Sequence, residues 1–122
     1  MASSPKRILC VEDDEFGTEL LSYHLSRYKL VIVTSKAEGL RVAEDERFDL
    51  VLIGGILADG NGIELCRQIR RFDQEIPIMI LSGDARETVR EQALNAGAQD
   101  FIIKPIDFAG LMKRITTILL QT

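Results

Sequence analysis

Residues that usually build disulfide frameworks or metal sites are scarce in this chain of 122 residues. It has two cysteines, Cys10 and Cys66, and a single histidine, His24. The spacing of the cysteines fits neither a disulfide framework nor a zinc site, and both lie inside apolar segments, so we interpret them as small buried apolar residues. His24 lies beside Tyr23 and Leu25 on a predicted helix and is interpreted as structural.

Long hydrophobic runs and an excess of positive charge are also missing. No apolar run approaches the ~20 residues that a membrane-spanning helix needs. Residues 1–5 (MASSP) are too short and too polar for a signal peptide. We therefore expect a cytoplasmic protein that does not contact membranes, with residues 1–5 as a flexible N-terminus. The formal net charge of −4 argues against direct nucleic-acid binding by this chain.

Strand-like and helix-like segments alternate along the chain. The five strand-like segments are short and apolar: RILCV (7–11), LVIVT (30–34), DLVLI (49–53), IMILS (78–82) and DFIIK (100–104). A segment with helical spacing of apolar residues follows each of them. Strict alternation predicts an α/β fold with a doubly wound, five-stranded parallel sheet and helices on both faces. The length and the 46% hydrophobic composition suit one domain, residues 1–122.

Several helix boundaries are also marked in the sequence. Ser35 and Glu38 form a capping box that predicts the start of the second helix. Gly97 is a predicted C-cap for the fourth helix. Pro105 ends the last strand, and Asp107 is placed to cap the final helix.

Chemistry-bearing residues follow four of the five predicted strands. They are Glu12, Asp13 and Asp14 after the first strand, Gly54 and Gly55 after the third, Ser82, Gly83 and Asp84 after the fourth, and Lys104 at the end of the fifth. Ligands of such sheets bind at the carboxyl ends of the strands, so we expect these residues to converge. Carboxylate oxygens suit Mg²⁺, and an ammonium and a hydroxyl beside a metal suit a phosphoryl group.

Four segments, in this order, resemble the receiver domain of response regulators, the phosphoacceptor module of two-component signalling. They are ILCVEDDE, FDLVLIGGILADGNGIELCRQIR, PIMILSGDA and AGAQDFIIKPI. The resemblance to this chemotaxis-regulator-like superfamily runs from about Lys6 to Leu120. It implies a flavodoxin-like (βα)5 fold with strand order 2-1-3-4-5. It also implies a signalling module of a phosphorelay rather than an enzyme.

The resemblance assigns roles to six residues at this edge of the sheet. The metal-binding set comprises Glu12, Asp13 and the backbone carbonyl of Ile56. The set that contacts the phosphoryl group or switches with it comprises Ser82, Phe101 and Lys104. Since the Lys-Pro peptide bond is commonly cis in the family, we expect a cis bond between Lys104 and Pro105.

The chain departs from the family pattern at the residue that matters most for the chemistry. The last residue of the third strand is the phosphoacceptor aspartate in the family, and here that position is Gly54. The following ADGNGIELCRQIR stays in register, so no insertion moves an aspartate into place. Glycine has no carboxylate to attack a phosphoryl donor. The missing aspartate carboxylate would also have been an anionic metal ligand, so we expect Mg²⁺ to bind more weakly.

Three explanations of Gly54 remain open. In the first explanation, the domain is a pseudo-receiver that works through protein–protein contacts without phosphorylation. Alternatively, another carboxylate accepts the phosphoryl group, with Asp13, Asp14 and Asp59 as candidates. In the third explanation, Gly54 is an engineered or variant substitution in an ordinary phosphorylatable receiver. The sequence does not separate the first explanation from the third.

The resemblance also implies partners and a contact face. The partners are a sensor histidine kinase or an effector protein, in a bacterial system that regulates transcription. The face built from the fourth helix, fifth strand and fifth helix is a candidate surface for effector contact or homodimerisation. Its basic residues are Arg86, Arg90, Lys113 and Arg114.

A flavodoxin-like cofactor protein is a distant alternative to the receiver interpretation. Such a protein needs a phosphate-cradling loop after the first strand. This chain has the acidic EDDE there, which repels a phosphate that lacks a metal.

Overall fold

Strands and helices alternate through residues 4–120, the part of the chain that the computed structural model describes. The strands are β1 (Arg7–Val11), β2 (Lys29–Val33), β3 (Leu50–Gly54), β4 (Ile56–Leu57), β5 (Gly60–Asn61), β6 (Ile78–Ser82) and β7 (Asp100–Ile103). The helices are α1 (Glu15–His24), α2 (Lys36–Asp45), α3 (Gly62–Arg70), α4 (Glu87–Asn95) and α5 (Phe108–Leu120). The five predicted strands and five helices are confirmed, whereas the two-residue strands β4 and β5 were not expected.

Five strands form one parallel sheet in the order β2-β1-β3-β6-β7. This is the predicted flavodoxin-like order, with β6 and β7 as the fourth and fifth long strands. The short strands β4 and β5 pair antiparallel outside that sheet. Strand β3 is central, because it pairs with β1 on one side and with β6 on the other. Its end therefore lies in the middle of the carboxyl edge of the sheet.

The core consists of two apolar clusters, one on each face of the sheet. Val51 and Ile53 of β3 belong to one cluster, and Leu50 and Leu52 belong to the other. Successive side chains of a strand point to opposite faces, so a strand covered by helices on both sides is apolar at every position. This is why the strands appear as continuous apolar runs in the sequence.

Both cysteines lie in this core as free thiols, as the sequence analysis predicted. Cys10 is in the cluster that contains Leu50, and Cys66 is in the cluster that contains Val51. Burial, together with the negative charge of Glu12, raises the pKa of the Cys10 thiol to about 12. Since thiolates rather than thiols are the reactive form, neither cysteine is a candidate for chemistry.

The helix boundaries follow the capping signals. The Ser35 side chain accepts a hydrogen bond from the Glu38 amide at 3.1 Å, and α2 begins directly after Ser35. Asp107 accepts a hydrogen bond from the Gly110 amide at 3.3 Å, in the first turn of α5. Gly97 lies just beyond α4 with a φ of +110°, the left-handed region that favours glycine. Ser35 and Asp107 therefore mark where two loops of the carboxyl edge end, whereas Gly97 lies in a loop at the opposite edge of the sheet.

The predicted flexible N-terminus is only partly described. Of the predicted flexible segment 1–5, residues 1–3 lie outside the described part of the chain, and residues 4–5 are exposed and outside any helix or strand. Within residues 4–120, no helix combines the length and the apolar character that crossing a bilayer requires.

Candidate functional site

The carboxyl ends of β1, β3, β6 and β7 meet at one edge of the sheet, and predicted site residues lie at each end. Glu12 directly follows β1, and Gly54 is the last residue of β3. Ser82 is the last residue of β6, and Lys104 directly follows β7. The peptide bond between Lys104 and Pro105 is cis, as expected. The parallel topology thus brings together residues that are up to 92 positions apart in the sequence.

Each oxygen of the Glu12 carboxylate accepts a hydrogen bond from its own chain. Its Oε1 accepts a hydrogen bond from Lys104 Nζ at 2.5 Å, and its Oε2 accepts one from the Asp13 amide at 3.1 Å. Glu12 is 2% exposed, whereas the Lys104 side chain is 30% exposed. The two residues form an ion pair that is buried on the carboxylate side. The family resemblance implied a metal contact for Glu12 and a phosphoryl contact for Lys104, and this contact between the two residues was not predicted.

Gly54 leaves room for the Glu12 carboxylate. A β-carbon added at position 54 would lie 2.5 Å from Glu12 Oε2 and 3.0 Å from Oε1. These distances are shorter than van der Waals contact, so the carboxylate occupies the space in which a side chain at position 54 would begin. The absence of a side chain on Gly54 is therefore a condition for the observed position of Glu12.

Gly55 has a similar relationship with Ser82. A β-carbon on Gly55 would lie 2.9 Å from Ser82 Oγ. Ser82 is buried, and its Oγ accepts a hydrogen bond from the Asp84 amide at 3.0 Å. The Gly55 amide donates to the Leu81 carbonyl at 2.8 Å and so continues the β3–β6 pairing. The spaces beside both glycines at the end of β3 are thus filled by side chains from neighbouring strand ends.

Phe101, the predicted aromatic switch, is buried in the core. It is 4% exposed and belongs to the apolar cluster that includes Ala93 and Ala96 at the end of α4. Val89 of α4 packs against the same cluster. The ring therefore lies between the sheet and α4 rather than at the surface.

Asp59 has a structural role that the sequence analysis missed. Its two carboxylate oxygens accept hydrogen bonds from the Lys36 and Ala37 amides, at 2.7 and 3.0 Å. These are free N–H groups at the start of α2, and the bonds hold the pKa of Asp59 below its ordinary value. Asp59 lies 23 residues after Lys36, so no local spacing could have revealed it. This contact makes Asp59 a poor substitute for the acceptor.

The cap of α3 was also missed, although a local signal existed. The Asn61 side chain accepts a hydrogen bond from the Glu64 amide at 2.8 Å, and α3 begins at Gly62. Asn followed three residues later by Glu resembles the capping-box pattern that identified α2. Asp59 thus ties the segment that follows β3 to the start of α2, and Asn61 joins the same segment to α3.

The four basic residues predicted for an interface fall into two groups. Arg86 binds the carboxylate of Asp84 and lowers the pKa of Asp84 to about 2. Arg114 forms an ion pair with Asp100. Within residues 4–120, Arg90 and Lys113 have no ion-pair partner and are exposed. These two residues are the unneutralised positive charges of the candidate face.

The metal-binding set does not fit Mg²⁺ in this arrangement. Glu12 is paired with Lys104, and Asp13 is exposed. No cluster of three or more His, Cys, Asp or Glu side chains in the described residues is arranged to hold a metal ion. Mg²⁺ requires near-ideal octahedral oxygen coordination, and one exposed carboxylate with a backbone carbonyl does not supply a site for it.

Comparison with known proteins identifies the family. The family model "Response regulator receiver domain" matches residues 8–116, which is most of the chain. The chain belongs to this family. Its receiver fold positions the four strand ends described above, so the resemblance inferred from the sequence is confirmed.

Curated relatives of this receiver domain are longer proteins. It is 34% identical over 116 residues to the alkaline phosphatase synthesis transcriptional regulatory protein PhoP of Bacillus subtilis, covering 93% of this chain and 48% of PhoP. It is also 34% identical over 115 residues to the response regulator ArlR of Staphylococcus saprophyticus, covering 93% of this chain and 52% of ArlR. The chain thus spans about half the length of these relatives.

Solved receiver structures share the fold. A CheY-like receiver domain protein from Methanospirillum hungatei is 31% identical and superposes with a TM-score of 0.91, covering 97% of this chain and 96% of that one. The receiver domain of the sensor histidine kinase PA1611 from Pseudomonas aeruginosa is 28% identical, with a TM-score of 0.86 and coverage of 95% and 98%. That structure has a magnesium ion coordinated in its active-site cleft.

Proposed function

We propose that this domain, residues 1–122, is a pseudo-receiver of a two-component phosphorelay that acts without phosphorylation at the usual site. In this proposal Gly54 occupies the position of the phosphoacceptor aspartate. The observation that carries the proposal is the position of the Glu12 carboxylate, 2.5 Å from where a β-carbon of residue 54 would lie. The space of an acceptor side chain is filled by a neighbour, and that neighbour is already neutralised by Lys104.

The other site residues keep the roles that the family resemblance gives them. Lys104 and Ser82 are the groups that would contact a phosphoryl group, and Phe101 is the aromatic residue of the switch. Glu12, Asp13 and the Ile56 carbonyl are the remains of a magnesium site. Their proximity at one edge of the sheet supports these roles, and the loss of one anionic ligand supports weakened Mg²⁺ binding.

The work of such a domain is done through protein contacts rather than catalysis. We propose a sensor histidine kinase or an output protein as the partner, in a cytoplasmic bacterial pathway that regulates transcription. The name of PhoP, a transcriptional regulatory protein, supports the role in transcription, and the name of ArlR, a response regulator, supports the two-component setting. The exposed, unpaired charges of Arg90 and Lys113 support the face of α4, β7 and α5 as the contact surface, either for an effector or for a second copy.

Phosphorylation of the purified protein tests the proposal. The chain and its Gly54→Asp variant are incubated with acetyl phosphate and Mg²⁺, and intact mass is recorded at neutral pH. We expect the aspartate variant alone to gain the mass of one phosphoryl group. Gly54→Asn is the matched control, because asparagine has the shape of aspartate without its nucleophilic oxygen, and it should gain none.

The other outcomes identify the remaining explanations. If the glycine form itself gains the phosphoryl mass, a second carboxylate is the acceptor, and the assignment of the site to position 54 is wrong. If neither form gains mass, the pocket has lost more than its nucleophile. A gain by the aspartate variant alone shows a competent pocket, whether the glycine is natural or introduced.

A further inference from the structure

Both oxygens of the Glu12 carboxylate accept hydrogen bonds within the protein, and one of the two donors is the Lys104 ammonium. We infer that the Glu12–Lys104 ion pair closes the magnesium site, so that the chain with Gly54 does not bind Mg²⁺ at these residues. The inference rests on the proposed assignment of Glu12, Asp13 and the Ile56 carbonyl as the metal-binding set.

The lysine ammonium already supplies a positive charge to the Glu12 carboxylate. Lys104 Nζ lies 2.5 Å from Glu12 Oε1, so the carboxylate already has a positive partner. A second cation at the same oxygens is repelled by the first unless Lys104 withdraws. Withdrawal gives up a charge-assisted contact at a carboxylate that is only 2% exposed, so the metal has to offset that loss out of its own binding free energy.

The path of the two side chains depends on Gly54. Strands β1 and β7 are separated in the sheet by β3 and β6, and three strand spacings amount to roughly 14 Å. Glu12 and Lys104 bridge this gap by reaching over the ends of the two intervening strands. A β-carbon on residue 54 would lie 2.5 Å from Glu12 Oε2 and would force the carboxylate away from its present position.

The missing acceptor therefore weakens the metal site in two separate ways. It removes one anionic ligand, and it also lets the remaining buried ligand turn to Lys104. The two effects are separable, because the second depends on Lys104 and the first does not. A substitution of Lys104 in the glycine form thus measures the contribution of the ion pair alone.

Binding of Mn²⁺ tests this directly, since Mn²⁺ prefers the same oxygen ligands as Mg²⁺ and broadens the NMR signals of nearby amides. The amides of Asp13 and Ile56 are followed in the full chain, in Lys104→Met and in Gly54→Asp. Lys36→Met is the matched control, because it removes another lysine–glutamate pair, the one with Glu64 at 2.8 Å.

We expect the full chain and Lys36→Met to show no selective broadening at Mn²⁺ concentrations that saturate Gly54→Asp. Lys104→Met should gain affinity by about tenfold over the full chain, which corresponds to ~1.4 kcal/mol. Lys104→Arg keeps a positive charge beside Glu12, so we expect it to bind Mn²⁺ no better than the full chain does. Lys104→Gln takes the place of Lys104→Met if the methionine variant does not fold.

Two results would overturn the inference. One is Mn²⁺ binding by the full chain with the affinity of Gly54→Asp. The other is a folded Lys104→Met variant, or a Lys104→Gln variant in its place, that binds no better than the full chain. That second result would assign the weak binding to the missing ligand alone. Neither result affects the proposed function, because that proposal concerns phosphoryl acceptance and is tested by the intact mass of the protein.

Discussion

Glu12 and Lys104 link the ends of β1 and β7, which are not neighbours in the sheet. The contact of 2.5 Å links residues 92 positions apart and passes over the ends of β3 and β6. It is the only ion pair of residues 4–120 in which one partner is almost completely buried. The energetic coupling between these two residues is therefore the first quantity to measure.

Replacing Lys104 by methionine should destabilise the domain by about 1–3 kcal/mol, because it leaves the Glu12 carboxylate buried without a cation. Glu12→Gln should cost less, since the Lys104 side chain is 30% exposed and its charge can be solvated. The double variant should lose less than the sum of the single losses. Urea unfolding of all four proteins gives the coupling energy. Single effects that add to within ~0.5 kcal/mol would show that the pair is not coupled.

Substitutions at Gly54 should depend on Mg²⁺ in a way that identifies the side chain. Gly54→Ala forces the Glu12 carboxylate to move, and we expect a loss of about 1–3 kcal/mol, with or without Mg²⁺. Gly54→Asp should lose a comparable amount without metal, because it also adds a like charge. In Mg²⁺ the aspartate variant alone should recover, since binding to the folded state stabilises it.

The measurement is the urea midpoint of each variant at zero and saturating Mg²⁺. The alanine variant is the control for displacement without charge. Recovery of both variants in Mg²⁺ would show that the cation acts elsewhere on the protein.

The sequence predicted the sheet well because the strands are buried on both faces. Leu50 to Ile53 are all core residues, so they form a continuous apolar run that needs no structural context to recognise. The positions of Glu12, Ser82 and Lys104 at one edge followed from the parallel topology. The ion pair did not, because it depends on the space left by Gly54 and on the reach of two long side chains across two strands.

Gly62 should be intolerant of a side chain for a packing reason. A β-carbon there would clash with the backbone carbonyl of Gly54 and lie 2.8 Å from Ile53 Cγ2. Backbone atoms cannot move aside cheaply, so Gly62→Ala should cost at least about 1–3 kcal/mol, measured by thermal or urea unfolding. Gly83 is the matched control, since no atom lies within 4 Å of the added carbon.

Gly83→Ala should be neutral or stabilising by about 0.4–1 kcal/mol, because alanine reduces the entropy of the unfolded chain. Equal destabilisation by the two alanine substitutions would contradict the close approach of α3 to the end of β3.

Asp59 should contribute stability that disappears in acid. Hydrogen bonds from the Ala37 and Lys36 amides lower its folded-state pKa. The contribution is therefore complete above the unfolded-state pKa of about 3.9 and is lost as the pH falls through the lower folded-state value. Asp59→Ala should lower the urea midpoint at pH 7, and the difference from the unmodified chain should shrink as the pH falls below about 4.

Glu44→Gln is the control for Asp59, because Glu44 is an exposed carboxylate on α2, the helix whose first amides Asp59 binds. Its effect on the midpoint should be small at every pH. A difference between Asp59→Ala and the unmodified chain that stays constant down to pH 3 would show that the charge of Asp59 does not stabilise α2.

The span of the Glu12–Lys104 pair also bears on the order in which the molecule assembles. Bringing together two residues 92 positions apart costs loop-closure entropy, so we expect the pair to form only after β3 and β6 have aligned the strand ends. An interaction formed after the rate-limiting step slows unfolding and leaves the folding rate almost unchanged. We therefore expect the pair to lower the unfolding rate of the receiver domain more than it raises the folding rate.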